Sequence, residues 1–272
     1  MAREIKPYEE LELKDDFMLG LIMHDPKYVK PFLEMILKIK IRKVVYPQSQ
    51  KSIDLSANAK AIRLDVYVED DQNTVFNLEM QTSDNRNLPK RMRYYQGVID
   101  LNILQKGQDY TKLKKSYVIF ICTFDPFGEG RHIYTFCNIC QENTALTLDD
   151  DAVKIILSTK GTMDDVSPEM KRILDYIDGK GASDEYTKQL EEAVRSARQN
   201  ESWRLGYMTL EYEYRQRYEE GLKEGEETGI AKTNERSIRK LYKRGESIAS
   251  IAEFVELDEE AVKRIIKAMG LE

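Results

Sequence analysis

The sequence predicts an α/β fold: a mixed sheet flanked by helices, followed by a charged helical arm and a small helical tail. Three observations carry this expectation. Two segments between residues 61 and 81 alternate with period two around a turn-rich centre. Ser116–Thr123 (SYVIFICT) is a continuous apolar run of strand length. Apolar residues at helical spacing precede, separate and follow these strands.

Two helices open the chain. Asp15–Met23 sets Phe17, Leu21 and Met18 on one face, and after Pro26 the series Val29, Phe32, Leu33, Ile36, Leu37 keeps helical spacing. Residues 41–47 read as a connecting strand or loop. In Ala61–Val68, Ile62, Leu64, Val66 and Val68 alternate with Arg63, Asp65 and Tyr67. In Thr74–Gln81, Phe76, Leu78 and Met80 alternate with Val75, Asn77, Glu79 and Gln81. The intervening Glu-Asp-Asp-Gln-Asn has turn composition, so the pair reads as an antiparallel hairpin. Pro89 suits the first turn of a helix that runs to about Lys106 and stops at Gly107. Ser116–Thr123 is a central buried strand, His132–Cys137 and Ala152–Leu157 are further strands, and Pro168–Tyr176 is a short helix. From about Ala182 the chain becomes highly charged helix up to Gly229, with Gly221, Gly225 and Gly229 recurring every four residues. Residues 236–269 read as a last unit of two or three short helices. The expected divisions are a core over 1–182, an arm over 183–235 and a tail over 236–272.

Composition bounds the function. The 272 residues are 41% apolar and 33% charged, enough for one sizeable core with a strongly hydrated surface. No segment approaches the roughly 18 apolar residues of a membrane span, and the opening MAREIKPYEELELKDDF lacks a signal peptide's apolar stretch. Three cysteines, an odd number, do not suggest a disulfide framework. These features predict a soluble cytoplasmic protein. The net charge of -6 disfavours a nucleic-acid partner, but its distribution reduces the objection. Residues 184–229 carry twelve acids and seven bases, a balance of -5, and residues 230–272 carry eight acids and nine bases, +1. The first 183 residues are therefore close to neutral, at -2. Such a core can bind DNA through a local basic patch.

The hairpin carries the chemistry. Burying its apolar residues together pairs Val68 with Thr74, leaves a loop at 69–73, and makes Asp65 and Glu79 diagonal neighbours on one face. A slip of one residue would separate the carboxylates and expose half the apolar set. Two carboxylates so close repel unless a cation lies between them, and Mg²⁺, a hard ion that accepts one or two carboxylates and meets phosphate oxygens, suits the position. Mn²⁺ is the natural substitute. Gln81, on the face of Glu79, can orient a water but cannot supply a lysine's positive charge.

Asp65 followed by Glu79-x-Gln81 across a hairpin, then a helix with Arg91 and Tyr95, is similar to the PD-(D/E)XK nucleases, and more narrowly resembles the recombination-promoting nucleases, also described as PD-(D/E)XK nuclease family transposases. The passages that carry the likeness are KDDFML, RLDVYV, FNLEMQ, RMRYYQ, LQKGQDY, YVIFICTFDPF and the arm YEEGLKEGEETG, in that order over nearly the whole chain. The resemblance implies a restriction-endonuclease-like core of αβββαβ order and metal-dependent cleavage of DNA in recombination or mobile-element biology. It implies that Asp65 and Glu79 hold the metal, that Gln81 takes the place of the family lysine, and that Asp16 matches an acidic position on the first helix.

The other signals are weighed against plainer accounts. Asp16 is equally an ordinary first-turn carboxylate that complements the helix dipole. Lys90, Arg91 and Arg93 crowd a helix start, where cations oppose the dipole, so a DNA phosphate would relieve them; a solvated face is the plainer account. Tyr94 and Tyr95 read as core and rim packing. Cys137 and Cys140 stand near His132, but no fourth zinc ligand appears at a recognisable spacing. The glycine series offers a homodimer seam or, equally, a loosely ordered arm. Ser247 and Asp258 can cap two short helices resembling a helix-turn-helix, although Glu259 and Glu260 would repel phosphates. Two rival functions remain in view: a non-catalytic DNA-binding or assembly protein on a nuclease scaffold, and a toxin-like or phage-defence nuclease. The expected location is the cytoplasm, on the nucleoid when DNA is bound.

Overall fold

The computed structural model describes residues 5–45, 52–53 and 62–271. The described residues cluster into two units, Lys6–Arg204 and a second that begins at Leu205.

The first unit starts with helices α1 (Asp16–Ile22) and α2 (Pro26–Leu37). The Asp25 carboxylate accepts the Lys27 N–H at 2.8 Å and Pro26 takes the first helical position, so α2 begins where its capping residues dictate. The face that α1 buries is Met18, Leu19 and Ile22, a correction to the expected Phe17 and Leu21. Phe17 lies instead edge-on to the Tyr8 ring, 6.4 Å between centroids. Next come strands β1 (Val44–Val45), β2 (Ser52–Ile53), β3 (Ile62–Arg63), β4 (Val66–Asp70) and β5 (Val75–Gln81). Helix α3 (Leu88–Ile103) leads to β6 (Ser116–Cys122), then β7 (Ile133–Phe136), β8 (Ala152–Ser158), α4 (Pro168–Ile177) and α5 (Glu185–Arg198).

Six strands form one mixed sheet in the order β1-β4-β5-β6-β8-β7, while β2 and β3 pair separately. The central β5, β6 and β8 run parallel, and α3 makes the crossover from β5 to β6 that parallel pairing requires. Reading α1 and α2, then β1, β4 and β5, then α3 and β6, the core has the αβββαβ order implied by the resemblance.

Both faces of the sheet are covered. One face carries Val75, Val118, Phe120, Cys122 and Ile156 against Leu88, Met92, Tyr95, Val98 and Ile99 of α3. The opposite face carries Phe76, Leu78, Ile119, Ile121, Ile155 and Leu157, all buried, and α1 packs against β5. Consequently β5 is buried along its whole length, and the side of the hairpin expected to be polar is an interior face.

Two corrections bear on the site. The first strand of the hairpin, expected over Ala61–Val68, breaks after Arg63, and Leu64 packs with Tyr67 and Val75 instead of with Val66. Ala61 and the side chains of Ile62 and Arg63 lie outside the described residues. The second concerns register. Val68 pairs with Phe76 and Val66 with Leu78, two residues from the expected pairing. The loop shortens to three residues because Asp70 organises it: its Oδ1 accepts the Gln72 N–H at 2.9 Å and the Thr74 N–H at 2.8 Å. Asn73 adopts the left-handed conformation (φ 64°) that closes a three-residue hairpin loop. Asp70→Ala is expected to cost about 2 kcal/mol, because it removes the carboxylate from two backbone N–H groups, one of them buried. Urea denaturation would read this, and an unchanged midpoint would remove Asp70 from its assigned role.

The first unit also extends past the expected boundary near residue 182. Helix α5 buries Leu190, Val194 and Ala197; Tyr8 Oη donates to Ala197 O at 2.6 Å and Tyr186 Oη to Tyr28 O at 2.5 Å. An amphipathic face hidden within a charged sequence therefore puts this segment in the core.

In the second unit, Gly221, Gly225 and Gly229 lie within one continuous helix, α6 (Glu201–Tyr242), with open space where a Cβ would stand. Ser247 caps α7 (Ile248–Val255) through the Ser250 N–H, and Asp258 caps α8 (Glu259–Ala268) through the Ala261 N–H, as the sequence predicts. Ile238, Ile251, Val255, Val262 and Ile266 form their small core.

Candidate functional site

The β4–β5 ladder ends at the Val66–Leu78 pair, and Asp65 is the next residue, in the break between β3 and β4. Antiparallel ladders alternate hydrogen-bonded with narrow pairs. The Asp70 N–H donates to Thr74 O at 3.1 Å, so counting back in steps of two makes Val66 and Leu78 a bonded pair, the last of the ladder. The ladder ends here by substitution. Met80 N–H, which a continued ladder would give to the Leu64 carbonyl, donates to Asp65 Oδ2 at 3.1 Å. In return Asp65 N–H donates to Glu79 Oε1 at 3.2 Å. The strand break is thus the means by which the Asp65 carboxylate is tied to β5 beside Glu79.

That spot is interior. Glu79 is 2% exposed and Gln81 7%, both on the face covered by α3. Burial, followed by the charge of Asp65, pushes the Glu79 carboxyl well above its ordinary range, while the Asp65 N–H and the Arg91 guanidinium pull the other way.

Helix α3 lowers Arg91 into the same cleft. Its Nη1 donates to Gln81 Oε1, and its Nη2 donates to Tyr95 Oη at 3.1 Å and stands 3.9 Å from Glu79 Oε2. The Gln81 amide donates through Nε2 to Ser83 O, which leaves one hydrogen and one lone pair of that amide for a further partner. Lys90 and Arg93 are exposed on the first turns of α3. Tyr95 is buried and Tyr94 exposed.

Asp16 begins α1, where its Oδ1 accepts the Phe17 N–H at 2.9 Å. One turn later Gly20 abuts the site: a Cβ there would lie 3.0 Å from Asp65 O. Asp16 therefore shares the helix face that meets the Asp65 backbone. Among the described residues, no three His, Cys, Asp or Glu side chains gather to hold a metal, so Asp16 does not complete a cage with the pair. His132, buried, places Nδ1 2.9 Å from Asp165 Oδ1, and the Cys140 thiol lies 3.2 Å from Glu142 Oε2.

The donor set fits a small divalent cation. Two hard carboxylates, one just before β4 and one on β5, suffice for an ion such as Mg²⁺, which keeps several waters and completes its shell with phosphate oxygens. Burial of Glu79 and repulsion from Asp65 disfavour its charged form, a cost that Arg91, at 3.9 Å, offsets in part.

Reading the sequence alone missed Phe120, Gly20 and the bond between Arg91 and Tyr95. Phe120 pairs with Glu79 across β5 and β6, a parallel register that no local pattern reveals. The Arg91–Tyr95 bond had a signal in the four-residue spacing on one helix face. Gly20 had one too, as a glycine in a helix interior, where close approach by another element is the usual reason.

A family model described as PD-(D/E)XK nuclease family transposase matches residues 27–225, which span the hairpin, α3, the sheet and more than half of α6. No curated protein and no solved structure matches the chain.

Proposed function

Because the chain belongs to the PD-(D/E)XK nuclease family transposases, we propose that it is a divalent-metal-dependent DNA endonuclease whose metal is held by Asp65 and Glu79. The observation that carries this reading is the linked pair: Glu79, buried on β5, accepts the Asp65 N–H through Oε1 at 3.2 Å, and Asp65, half-buried just before β4, accepts the Met80 N–H through Oδ2 at 3.1 Å. When bound, Mg²⁺ or Mn²⁺ would polarise the phosphodiester and lower the pKa of a water. The protein's own groups do the rest. Asp65 and Glu79 supply hard oxygen donors from a rigid sheet. Gln81, with one lone pair and one amide hydrogen still open, orients the attacking water. Lys90 and Arg93 hold the DNA backbone at the start of α3, where backbone N–H groups also favour phosphate. Asp16 assists from α1, one turn before the contact with Asp65. The substrate is DNA, the setting recombination or a mobile element, and the location the cytoplasm, on the nucleoid while bound; among the described residues no helix is long and apolar enough to cross a membrane.

The test is incubation with supercoiled plasmid and Mg²⁺, with EDTA, Asp65→Ala and Glu79→Ala as controls. Nicking is expected with Mg²⁺ and its loss in all three controls. Binding without cleavage by the wild type would instead support a DNA-binding or assembly protein on a nuclease scaffold. Comparing growth on expression of wild type and Glu79→Ala separates a toxin-like or phage-defence role, which predicts impairment by the wild type alone.

A further inference from the structure

We propose that Arg91 is a positioning residue inside the site, one that locks the Gln81 amide and fixes a positive charge beside Glu79, whereas its neighbours Lys90 and Arg93 are surface phosphate contacts. The catalytic consequence rests on the nuclease reading above; the contact with Gln81 stands without it.

Three features separate Arg91 from its neighbours. The first is exposure: only 31% of its side chain is accessible, while Lys90 and Arg93 are exposed. The second is bonding. Nη1 donates to Gln81 Oε1 and Nη2 to Tyr95 Oη, and Nη2 lies 3.9 Å from Glu79 Oε2. The third is stacking: the guanidinium carbon sits 5.4 Å from the Tyr95 ring centroid and 5.1 Å from that of Phe120. The fold builds this berth from three elements. Tyr95 stands one turn after Arg91 on α3, Phe120 pairs with Glu79 on β6, and Gln81 ends β5.

A planar fork against two rings suits a guanidinium and not an ammonium. Two of its five N–H donors are committed to Gln81 and Tyr95, leaving the others for the carboxylate and the cleft opening. Gln81 is thereby held from both ends, by Arg91 at its oxygen and by Ser83 O at its nitrogen. An amide so fixed presents its remaining lone pair and hydrogen in one direction, as a group that aligns a water must.

The experiment compares Arg91→Met, Arg91→Lys and Lys90→Met in the full chain with two readouts. The first is the ¹⁵N side-chain amide signal of Gln81 in metal-free protein, assigned with Gln81→Asn. Arg91→Met is expected to shift this signal and speed its hydrogen exchange, Arg91→Lys to leave part of the protection, and Lys90→Met to change nothing. The second is cleavage in Mg²⁺ beside binding of a fluorescent 30-base-pair duplex in Ca²⁺. Arg91→Met is expected to lower kcat about 100-fold with affinity within about twofold, Arg91→Lys to recover part of kcat, and Lys90→Met to raise KM while keeping kcat. Weakened binding with kcat intact in Arg91→Met, or an unmoved Gln81 signal, would overturn the proposal. If the wild type cleaves nothing, the nuclease reading fails by itself and the amide signal still decides the contact. Should Arg91→Met fail to fold, the Gln81 signal and kcat of Arg91→Lys decide in its place.

Discussion

Glu79→Gln is expected to reduce metal-dependent cleavage on the order of 1,000-fold and, in the absence of metal, to make the protein more stable. Both effects have one cause. Glu79 is 2% exposed and faces Asp65, so its carboxyl is pushed well above the ordinary value of 4.5 by burial and then by the Asp65 charge. A carboxyl whose folded-state pKa is raised binds its proton more tightly when folded. Its contribution to stability is complete below about pH 4.5 and is lost as pH rises through the raised value. At pH 8 the metal-free wild type therefore carries a cost that a neutral amide escapes. The gain is expected to be about 1–2 kcal/mol, or roughly 2–8 °C in Tm for a unit of this size. It should shrink as pH falls towards 4.5. Added Mg²⁺ should stabilise the wild type and leave Glu79→Gln unmoved, because only the wild type gains binding free energy from the ion. Thermal unfolding of both proteins at pH 5 and pH 8, each with EDTA or Mg²⁺, makes the check. A variant less stable than wild type at pH 8 in EDTA would mean that the carboxylate holds the fold together instead of straining it.

Gly20→Leu is expected to damage stability and activity together. A Cβ at position 20 would stand 3.0 Å from Asp65 O, so even alanine is tight and the branched end of leucine must displace backbone. Overpacking of this kind costs about 2–3 kcal/mol. The backbone displaced belongs to Asp65, whose N–H and Oδ2 make the reciprocal bonds with β5. Loss of activity is therefore expected to exceed what unfolding accounts for, visible as a lower kcat per folded molecule at a temperature well below the Tm. Gly20→Ala serves as the graded partner, since its helix-propensity gain of about 1 kcal/mol works against the close contact. A leucine variant with wild-type Tm and kcat would show that α1 yields freely at this point.

Much of this was legible in residue order. Period-two alternation identified the hairpin and put Asp65, Glu79 and Gln81 on one side of it. The run SYVIFICT announced a central strand, and Ser247 and Asp258 announced the caps they provide. Alternation fixes the parity of a register, because a one-residue slip turns every side chain over. It cannot distinguish registers that differ by two, which bury the same residues. That choice fell to Asp70, whose carboxylate gathers two N–H groups into a three-residue loop, and it shifted β4 by two residues against β5.

What the sequence determined, then, was which residues share a face, since that follows from local geometry repeated along a strand or helix. What only the tertiary structure decided was what covers each face. Helix α3 turned a polar face into an interior one, raised the Glu79 pKa, and brought Arg91 to Gln81 from another element. Helix α5 joined the core from within a charged stretch. These outcomes depend on contacts between segments far apart in the chain, where desolvation and charge act over a few ångströms of space and no spacing along the sequence records them.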